Sequence, residues 1–319
     1  MRIAVRLSER RRHESRKLAA SEKTGVGEVG EALPVTEAGG AYRQPKEPPT
    51  FVIRPTGGFA AFDLREIWAF RELLWVFIWR DIKVRYKQTA IGVAWAVLQP
   101  VCAVIIFSLI FGRLARMPSE GVPYPAFAFC GLIPWLFFAR SLTEASTSLV
   151  VNDRLVTKVY FPRILVPAAV VLAGLPDLAI SLVILVGLVV AYGVVPSIAL
   201  VAVPGFIVLA IATAFAVGFW LSALDVEFRD VRYTLPFLTQ VWMFATPVVY
   251  PSSIVPERWR TLYGLNPMAS VVEGFRWALL GTRAPHFGMM AVSAGVVAVL
   301  LVGGLAYFRR VERTLVDKL

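Results

Sequence analysis

The sequence predicts an all-α integral membrane protein: six transmembrane helices, an amphipathic interface helix before them, and short external helices between the fifth and sixth spans. Two observations predict this class. Hydrophobic residues make up 57% of the 319-residue chain, and the mean hydropathy of +0.65 is high for a soluble domain. Polar residues are also segregated, because residues 1–60 almost lack long apolar runs whereas residues 89–308 are dominated by them. This segregation is typical of a membrane domain with a polar tail.

Composition divides the chain into three regions. Residues 1–55 mix charge, Gly and Pro and are expected to form a disordered cytosolic arm. The arginines at 10–12 are followed by polar residues rather than by the apolar core of a signal peptide. Residues 56–88 form the interface-helix region, and residues 89–319 form the six-helix transmembrane domain.

The interface-helix region is amphipathic and rich in Trp. Asp63 and Glu66 have the spacing of a capping box that begins a helix. The helix is expected to lie in the cytosolic membrane interface. Because Arg71 and Arg85 interrupt its apolar face, protein should cover part of it. Five residues near its end are expected to contact lipid headgroups or the interface, namely Arg80, Lys83, Arg85, Tyr86 and Lys87.

Six apolar stretches each approach the ~20 residues that a helix needs to cross a bilayer. With these spans, 26 Lys and Arg residues lie on the segments assigned to the cytosol and 6 lie on the opposite loops. This asymmetry predicts a multi-pass inner-membrane protein with both termini in the cytoplasm. The net charge of +11 then reflects topology and anionic headgroups rather than nucleic-acid binding. The predicted spans are 89–112, 125–149, 164–192, 198–222, 233–250 and 287–308.

Prolines and an apolar loop modify this simple bundle. Kinks are expected in the first, second and fifth spans, which contain Pro100, Pro134, Pro236 and Pro247. The only long external loop runs over residues 251–285 and includes Trp259 and Trp277. It is too apolar for a solvated loop, so short helices that dip into the outer leaflet are expected.

No catalytic or nucleotide-binding motif is present in the sequence. Gly25 and Gly30 have the first spacing of a phosphate-binding loop, but no Lys follows them. The two His and two Cys residues have no ligand-like spacing, so no metal site is predicted. The chain is therefore not expected to be an enzyme or to hydrolyse nucleotide by itself.

Two short cytosolic connections carry the strongest signals for a protein partner. The first is amphipathic and places aromatic residues beside cations, a pattern that favours insertion into a partner's groove. Its candidate docking residues are Asn152, Asp153, Arg154, Lys158, Tyr160, Phe161, Pro162 and Arg163. In the second connection the candidates are Phe228, Arg229 and Asp230. There, spacing alone supports partner docking and a plain loop equally.

These connections also carry a family resemblance. Residues 80–89, continuing to Leu98-Gln99-Pro100, look like the signature that opens the first span of ABC-2-type permeases. Residues 152–167 are similar to the first coupling helix of the branch that exports O-antigen, teichoic acid and related lipid-linked polysaccharides. Residues 228–231 resemble its second cytosolic contact. The likeness runs from about residue 51 to the C-terminus.

The resemblance implies a transporter subunit and its partners. A second copy of the chain and two separate ATP-binding subunits would complete the complex. ATP and Mg would be bound by those subunits, so this chain would need no cofactor. A lipid-linked polysaccharide would pass through a channel between the protomers. Residues 246–251 and 265–267 resemble the outer gate, and the gate residues expected on the external loop are Trp259, Asn266, Pro267 and Trp277.

Polar residues within the spans give a candidate channel wall. The fifth span carries Thr239, Trp242, Thr246 and Tyr250 on one face. Aromatic planes of this kind offer weak contacts to sugar rings, although packing against other helices is the alternative. Trp95 and Gln99 share a face of the first span and form a second candidate wall.

The spans also contain three charged residues. Arg140 and Glu144 lie one turn apart and are expected to pair, and Asp177 must be bonded to a neighbour.

Other function classes remain open at this point. A proton-driven transporter would need more spans or a chain of buried carboxylates. A membrane-bound glycosyltransferase would need catalytic acids on a soluble domain. Within the permease class, an exporter of a drug or a small lipid is the alternative.

Overall fold

The computed structural model describes residues 64–87, 93–194 and 198–314, and every regular element within these ranges is a helix. The all-α prediction is confirmed for this part of the chain. The predicted arm at 1–55 and the capping residue Asp63 lie outside the described residues.

The interface-helix region consists of α1 (Leu64–Ala69) and α2 (Arg71–Lys87). Trp75 and Trp79 are exposed and stack on each other with ring centroids 6.5 Å apart. Phe77 is the one buried residue of α2. The helix therefore places its tryptophans outward, and it packs on the rest of the protein through Phe77 and the partly buried Leu73, Leu74 and Ile78.

Five helical segments in the described residues are long and apolar enough to cross a membrane. Each coincides with a predicted span. The first joins α3 (Val93–Phe107) to a π-helix (Ser108–Leu114), the second is α4 (Tyr124–Val151), and the third joins α6 (Leu165–Leu172) to α7 (Leu175–Ala191). The fourth joins a 3-10 turn (Ile198–Ala202) to α8 (Val203–Glu227), and the last is α12 (Phe287–Glu312).

The predicted fifth span is shorter than expected. Its helix, α9 (Val231–Ala245), has 15 residues, which extend about 22 Å at the α-helical rise. A bilayer core is about 30 Å thick. The prediction of a continuous span over 233–250 is therefore wrong beyond Ala245, where the backbone of Thr246 becomes extended.

Three further helices connect the long ones. They are α5 (Asp153–Lys158) between α4 and α6, and α10 (Glu257–Tyr263) and α11 (Pro267–Leu280) between α9 and α12. Nearly all of α11 is buried, whereas α10 has no buried residue. The segment predicted to be external, residues 251–285, is thus divided into an internal and a peripheral helix.

The core is built around α4, most of which is buried. It packs against α3, α6, α7, α8 and α11. Small residues allow close helix contacts elsewhere, as between α8 and α12. A Cβ on Gly304 would lie 2.8 Å from the Trp220 ring, and Trp220 stacks on Tyr307 with centroids 5.0 Å apart. Such small-residue contacts are typical of helix packing in membranes.

Candidate functional site

The first of the two connections predicted to be cytosolic begins where α4 ends. The Asn152 side chain donates to the Ser148 carbonyl oxygen at 2.8 Å. In α5, Asp153 lies in the first turn and Lys158 in the last, which suits the helix dipole. Val156 is buried, whereas Arg154 and Lys158 are exposed. The connection is therefore an ordered helix with an apolar inner side and a basic outer side.

The two aromatic residues after α5 have different environments. Tyr160 is 69% exposed, but Phe161 is 4% exposed. The Phe161 ring packs edge-on against Phe77 of α2, with centroids 5.4 Å apart. The expectation that both aromatics face a partner is therefore wrong for Phe161, because this ring fills an internal apolar cluster. Phe161 connects the cytosolic connection to the interface helix.

Arg163 is also used within the chain. Its backbone N–H donates to Glu312 Oε1 at 3.0 Å, and its guanidinium donates to the Glu312 carbonyl oxygen at 2.7 Å. Pro162 is half-buried beside it. This arrangement satisfies a carbonyl at the C-terminal end of α12. The C-terminal ends of α4 and α12 therefore lie on the same face of the protein.

The second cytosolic connection links α8 to α9. The buried Asp225 accepts two hydrogen bonds from Arg232, at 3.2 and 3.1 Å. Three residues between Asp225 and Arg232 are exposed, namely Phe228, Arg229 and Asp230. The Asp225–Arg232 pair thus fixes a turn that exposes one aromatic and two charged side chains.

A cluster of charged residues joins α2 to the bundle. Arg85 donates to Glu144 Oε2 at 2.5 Å, to Asp177 Oδ2 at 2.8 Å and to the Ala173 carbonyl oxygen at 2.8 Å. Arg140 donates to Glu144 Oε1 at 2.7 Å and to Asp177 Oδ2 at 3.1 Å. The predicted Arg140–Glu144 pair is confirmed. Asp177 has the bonded neighbours that its depth requires.

Tyr86 completes the cluster by donating its hydroxyl hydrogen to Asp177. Burial, reinforced by this hydrogen bond, raises the pKa of Tyr86 to about 12. Arg85 and Tyr86 therefore point into the bundle rather than toward lipid headgroups. Lys83 and Lys87 are exposed on α2, and Lys83 lies over the Trp79 ring. Arg80 pairs with the neighbouring Asp81.

A cavity of about 430 Å³ adjoins the charged cluster. Arg140, Glu144 and Asp177 form part of its wall, as does Gln99 of α3. The remaining wall is mostly apolar. Gln99, a predicted channel residue, is thus close to the charged cluster. The side chain of Trp95 lies outside the described residues.

Three of the predicted channel residues, Trp242, Thr246 and Tyr250, lie at or just after the C-terminal end of α9, where one predicted gate residue, Asn266, bonds the first two. Asn266 accepts from Trp242 Nε1 at 3.0 Å and donates to Thr246 Oγ1 at 2.9 Å. Tyr250 donates to the Phe244 carbonyl oxygen at 2.9 Å and is 2.8 Å from the Tyr263 hydroxyl. Side chains of the external segment therefore satisfy the carbonyls that the end of α9 leaves free.

The predicted stripe on α9 faces the interior of the protomer. The Thr239 hydroxyl donates to carbonyls of its own helix. The Trp242 ring packs edge-on against Phe138 at 5.1 Å and against Trp135 at 6.5 Å. These contacts match the packing alternative. A role in lining a channel stays a prediction for Thr239, Trp242, Thr246 and Tyr250.

An arginine that the sequence did not single out stabilises the external segment. Arg276 of α11 is 1% exposed and lies over the Phe127 ring at 3.6 Å. It donates to the Val248 carbonyl at 2.6 Å and the Tyr250 carbonyl at 3.2 Å. Glu273 accepts from the Ser252 N–H at 3.1 Å, and burial raises the pKa of this carboxyl. The only sequence signal for these contacts was the presence of Glu273 and Arg276, three residues apart, in an otherwise apolar stretch.

The four predicted gate residues do not form one group. Pro267 is buried at the start of α11, and Trp277 packs edge-on against Phe206 at 6.4 Å. Asn266 belongs to the network at the end of α9. Trp259, on the peripheral helix α10, is exposed. Among the described residues, no group of three or more His, Cys, Asp or Glu is arranged to hold a metal.

Comparison with known proteins identifies the family. The ABC-2 type transporter family model matches residues 72–280. The O-antigen export system permease protein RfbA of Myxococcus xanthus is 32% identical, over 77% of this chain and 94% of its own length. RfbA of Klebsiella pneumoniae is 31% identical over 76% and 92%. The polysialic acid transport protein KpsM of Escherichia coli is 24% identical over 74% and 92%. The chain belongs to the ABC-2 type transporter family.

Proposed function

We propose that this chain is the membrane subunit of an ABC exporter that moves lipid-linked polysaccharide across the inner membrane. The observation that carries the proposal is the similarity to two O-antigen export permeases over more than nine-tenths of their length. The sequence contains no phosphate-binding loop of its own. A second copy of the chain and two ATP-binding subunits complete the transporter, and those subunits bind ATP and Mg.

The cytosolic connections form the docking surface for the ATP-binding subunits. Tyr160 and Phe228 are the exposed aromatics, and Arg154 and Lys158 are exposed cations. Exposed aromatic anchors beside charged side chains are typical of protein interfaces. Phe161 and Arg163 hold this surface in place: Phe161 packs against Phe77, and the Arg163 backbone N–H donates to Glu312.

The polymer path lies between two protomers. The first-span candidates Trp95 and Gln99 form its wall. The α9 candidates Thr239, Trp242, Thr246 and Tyr250 pack inward in the protomer, so they line the path only in a state in which α9 has moved. Gln99 is exposed in the protomer, which supports its assignment most directly. The network that joins Asn266 to α9 supports a gate that moves together with the external end of that helix.

Six crossings and cytoplasmic termini complete the proposal. The fifth crossing consists of α9 and the irregular residues that follow it. Arg276 and Glu273 bond the backbone of those residues. Such bonding supports a location at membrane depth, because irregular backbone is tolerated there only when it is buried in protein.

A deletion strain tests the function. Loss of this chain should remove the surface polysaccharide and leave lipid-linked polymer inside the cell, and the intact gene should restore export. Deletion of the gene for the ATP-binding subunit should give the same phenotype. If surface polysaccharide is unchanged while the cell becomes sensitive to a drug, the chain exports a drug or a small lipid instead.

A further inference from the structure

The charged cluster has an unusual distribution of partners. Both Arg85 and Arg140 donate to both carboxylates, and Asp177 Oδ2 accepts from both guanidinium groups. Two cations and two anions make the cluster neutral. Arg140, Glu144 and Asp177 belong to α4 and α7, which are part of the transmembrane bundle. Only Arg85 and its neighbour Tyr86 come from the interface helix.

The first two turns and the middle of the interface helix pack on the bundle through apolar side chains, namely Phe77 and the partly buried Leu73, Leu74 and Ile78. Of the 17 residues of α2, only Phe77 is buried. Phe77 contacts the Phe161 ring near the cytosolic connection. The C-terminal end of α2 is attached through Arg85, which is 13% exposed and also bonds the Ala173 carbonyl, and through the Tyr86 hydroxyl, which donates to Asp177. The attachment of the C-terminal end of α2 therefore depends on polar contacts rather than on a large apolar face.

If the C-terminal end of α2 separates from the bundle, Glu144 and Asp177 still have a cation beside them. If Arg85 withdraws, Arg140 keeps its bond to Glu144 on the same helix and its bond to Asp177. Without Arg140, withdrawal would leave two bare carboxylates at membrane depth, which is costly. Arg140 is 42% exposed and adjoins the cavity of about 430 Å³. The guanidinium thus has room to take the space that Arg85 vacates.

We infer that Arg85 and Arg140 form an exchange pair that lets the C-terminal end of the interface helix dock on the bundle and release from it. In the docked state, Arg85 and Arg140 share Glu144 and Asp177. In the released state, Arg140 alone neutralises them, and the helix pivots about Phe77. The two arginines are positioning residues, and their action does not depend on which substrate is exported.

The exchange pair predicts opposite effects for two similar substitutions. Arg85→Gln removes the cation that docks the helix, so release becomes easier. Arg140→Gln penalises the released state more than the docked state, because Arg85 still serves the docked carboxylates, so release becomes harder. A merely structural role would make both substitutions loosen the site in the same direction.

Cysteine labelling measures the release. Ala173 is fully buried, and Arg85 bonds its carbonyl oxygen. The probe is Ala173→Cys in the full-length chain, in lipid nanodiscs, with both native cysteines replaced by alanine, reacted with a membrane-permeant maleimide. Arg85→Gln should raise the labelling rate about fivefold or more, and Arg140→Gln should lower it by a similar factor. Ala210→Cys, in the fully buried core of α8, is the control and should not change.

The outcomes are distinguishable. Opposite changes at position 173 with a constant rate at position 210 support the exchange pair. Faster labelling in both variants, or no change in either, overturns it. If Arg85→Gln does not fold, Arg85→Lys replaces it and should raise the rate by a smaller factor, because one ammonium cannot reproduce all the bonds of the guanidinium. Failure of this test leaves polysaccharide export untouched, because labelling does not involve the substrate.

Discussion

Tyr160 and Phe161 are adjacent aromatic residues with opposite environments, and this contrast gives a sharp prediction. Phe161→Ala removes a nearly fully buried ring, so the free energy of unfolding should fall by about 3–5 kcal/mol. About 0.5–1.5 kcal/mol of this loss should come from the edge-on contact with Phe77. Tyr160→Ala removes an exposed ring, so the free energy of unfolding should change by no more than about 0.5 kcal/mol.

The same two variants should rank differently in partner binding. If Tyr160 is an anchor of the ATP-binding subunit, Tyr160→Ala should weaken the complex by about 2 kcal/mol, or roughly 30-fold in Kd. Unfolding can be measured by denaturant titration in mixed micelles, and affinity by surface-immobilised binding of the ATP-binding subunit. A double-mutant cycle with Phe77→Leu measures the ring contact. The reasoning is refuted if Phe161→Ala leaves stability unchanged, or if Tyr160→Ala binds the partner normally.

Three further predictions concern the external segment and the topology. Arg276→Met should lower the free energy of unfolding by about 3–5 kcal/mol, because it leaves Glu273 buried without its cation. Arg283→Gln, at an exposed position, is the control. Equal stability of the two variants would contradict a stabilising role of the Arg276 bonds. Trp242→Phe should cost about 0.5–1.5 kcal/mol, the net value of one hydrogen bond, because Asn266 Oδ1 keeps its bond from the Met268 N–H; an unchanged thermal midpoint would count against the Trp242 bond. A single cysteine replacing Glu257 should react with an impermeant maleimide added to intact cells, whereas one replacing Lys158 should not; the reverse pattern would invert the topology.

The spans and the interface helix could be predicted because their signals are local. Apolar runs of sufficient length predict membrane helices directly. The structure has a helical segment that is long and apolar enough to cross a membrane at five of the six predicted positions. The Arg140–Glu144 pair was predictable for the same reason, since residues four apart share a helix face. The requirement that Asp177 have a partner followed from its depth alone.

Contacts between distant segments were not predictable. The sequence could state that Arg85 should be covered, but not that Glu144 and Asp177 cover it, because those residues lie 59 and 92 positions away. The end of α9 has a local signal, although we predicted only a kink there: Pro247 disfavours helical backbone at Thr246, which is extended. What could not be predicted is the partner of the freed Ala245 carbonyl, which accepts from Tyr263 and Asn266.

The burial of Phe161 shows a further limit of sequence patterns. An aromatic residue beside cations is typical of both a docking surface and an internal cluster under a basic surface. The two cases differ only in which neighbour covers the ring. Here Phe77, 84 positions earlier in the chain, provides that cover.

Transport by the reconstituted complex tests the central claim most directly. The chain and its ATP-binding subunit are inserted into liposomes with the ATP-binding side outward, together with a lipid-linked polysaccharide in the outer leaflet. Added ATP and Mg should move the polymer inside, so that binding of an external lectin to it falls with time. A catalytically inactive ATP-binding subunit should abolish the change. If the complex assembles and hydrolyses ATP while lectin binding stays constant, the chain is not a polysaccharide exporter.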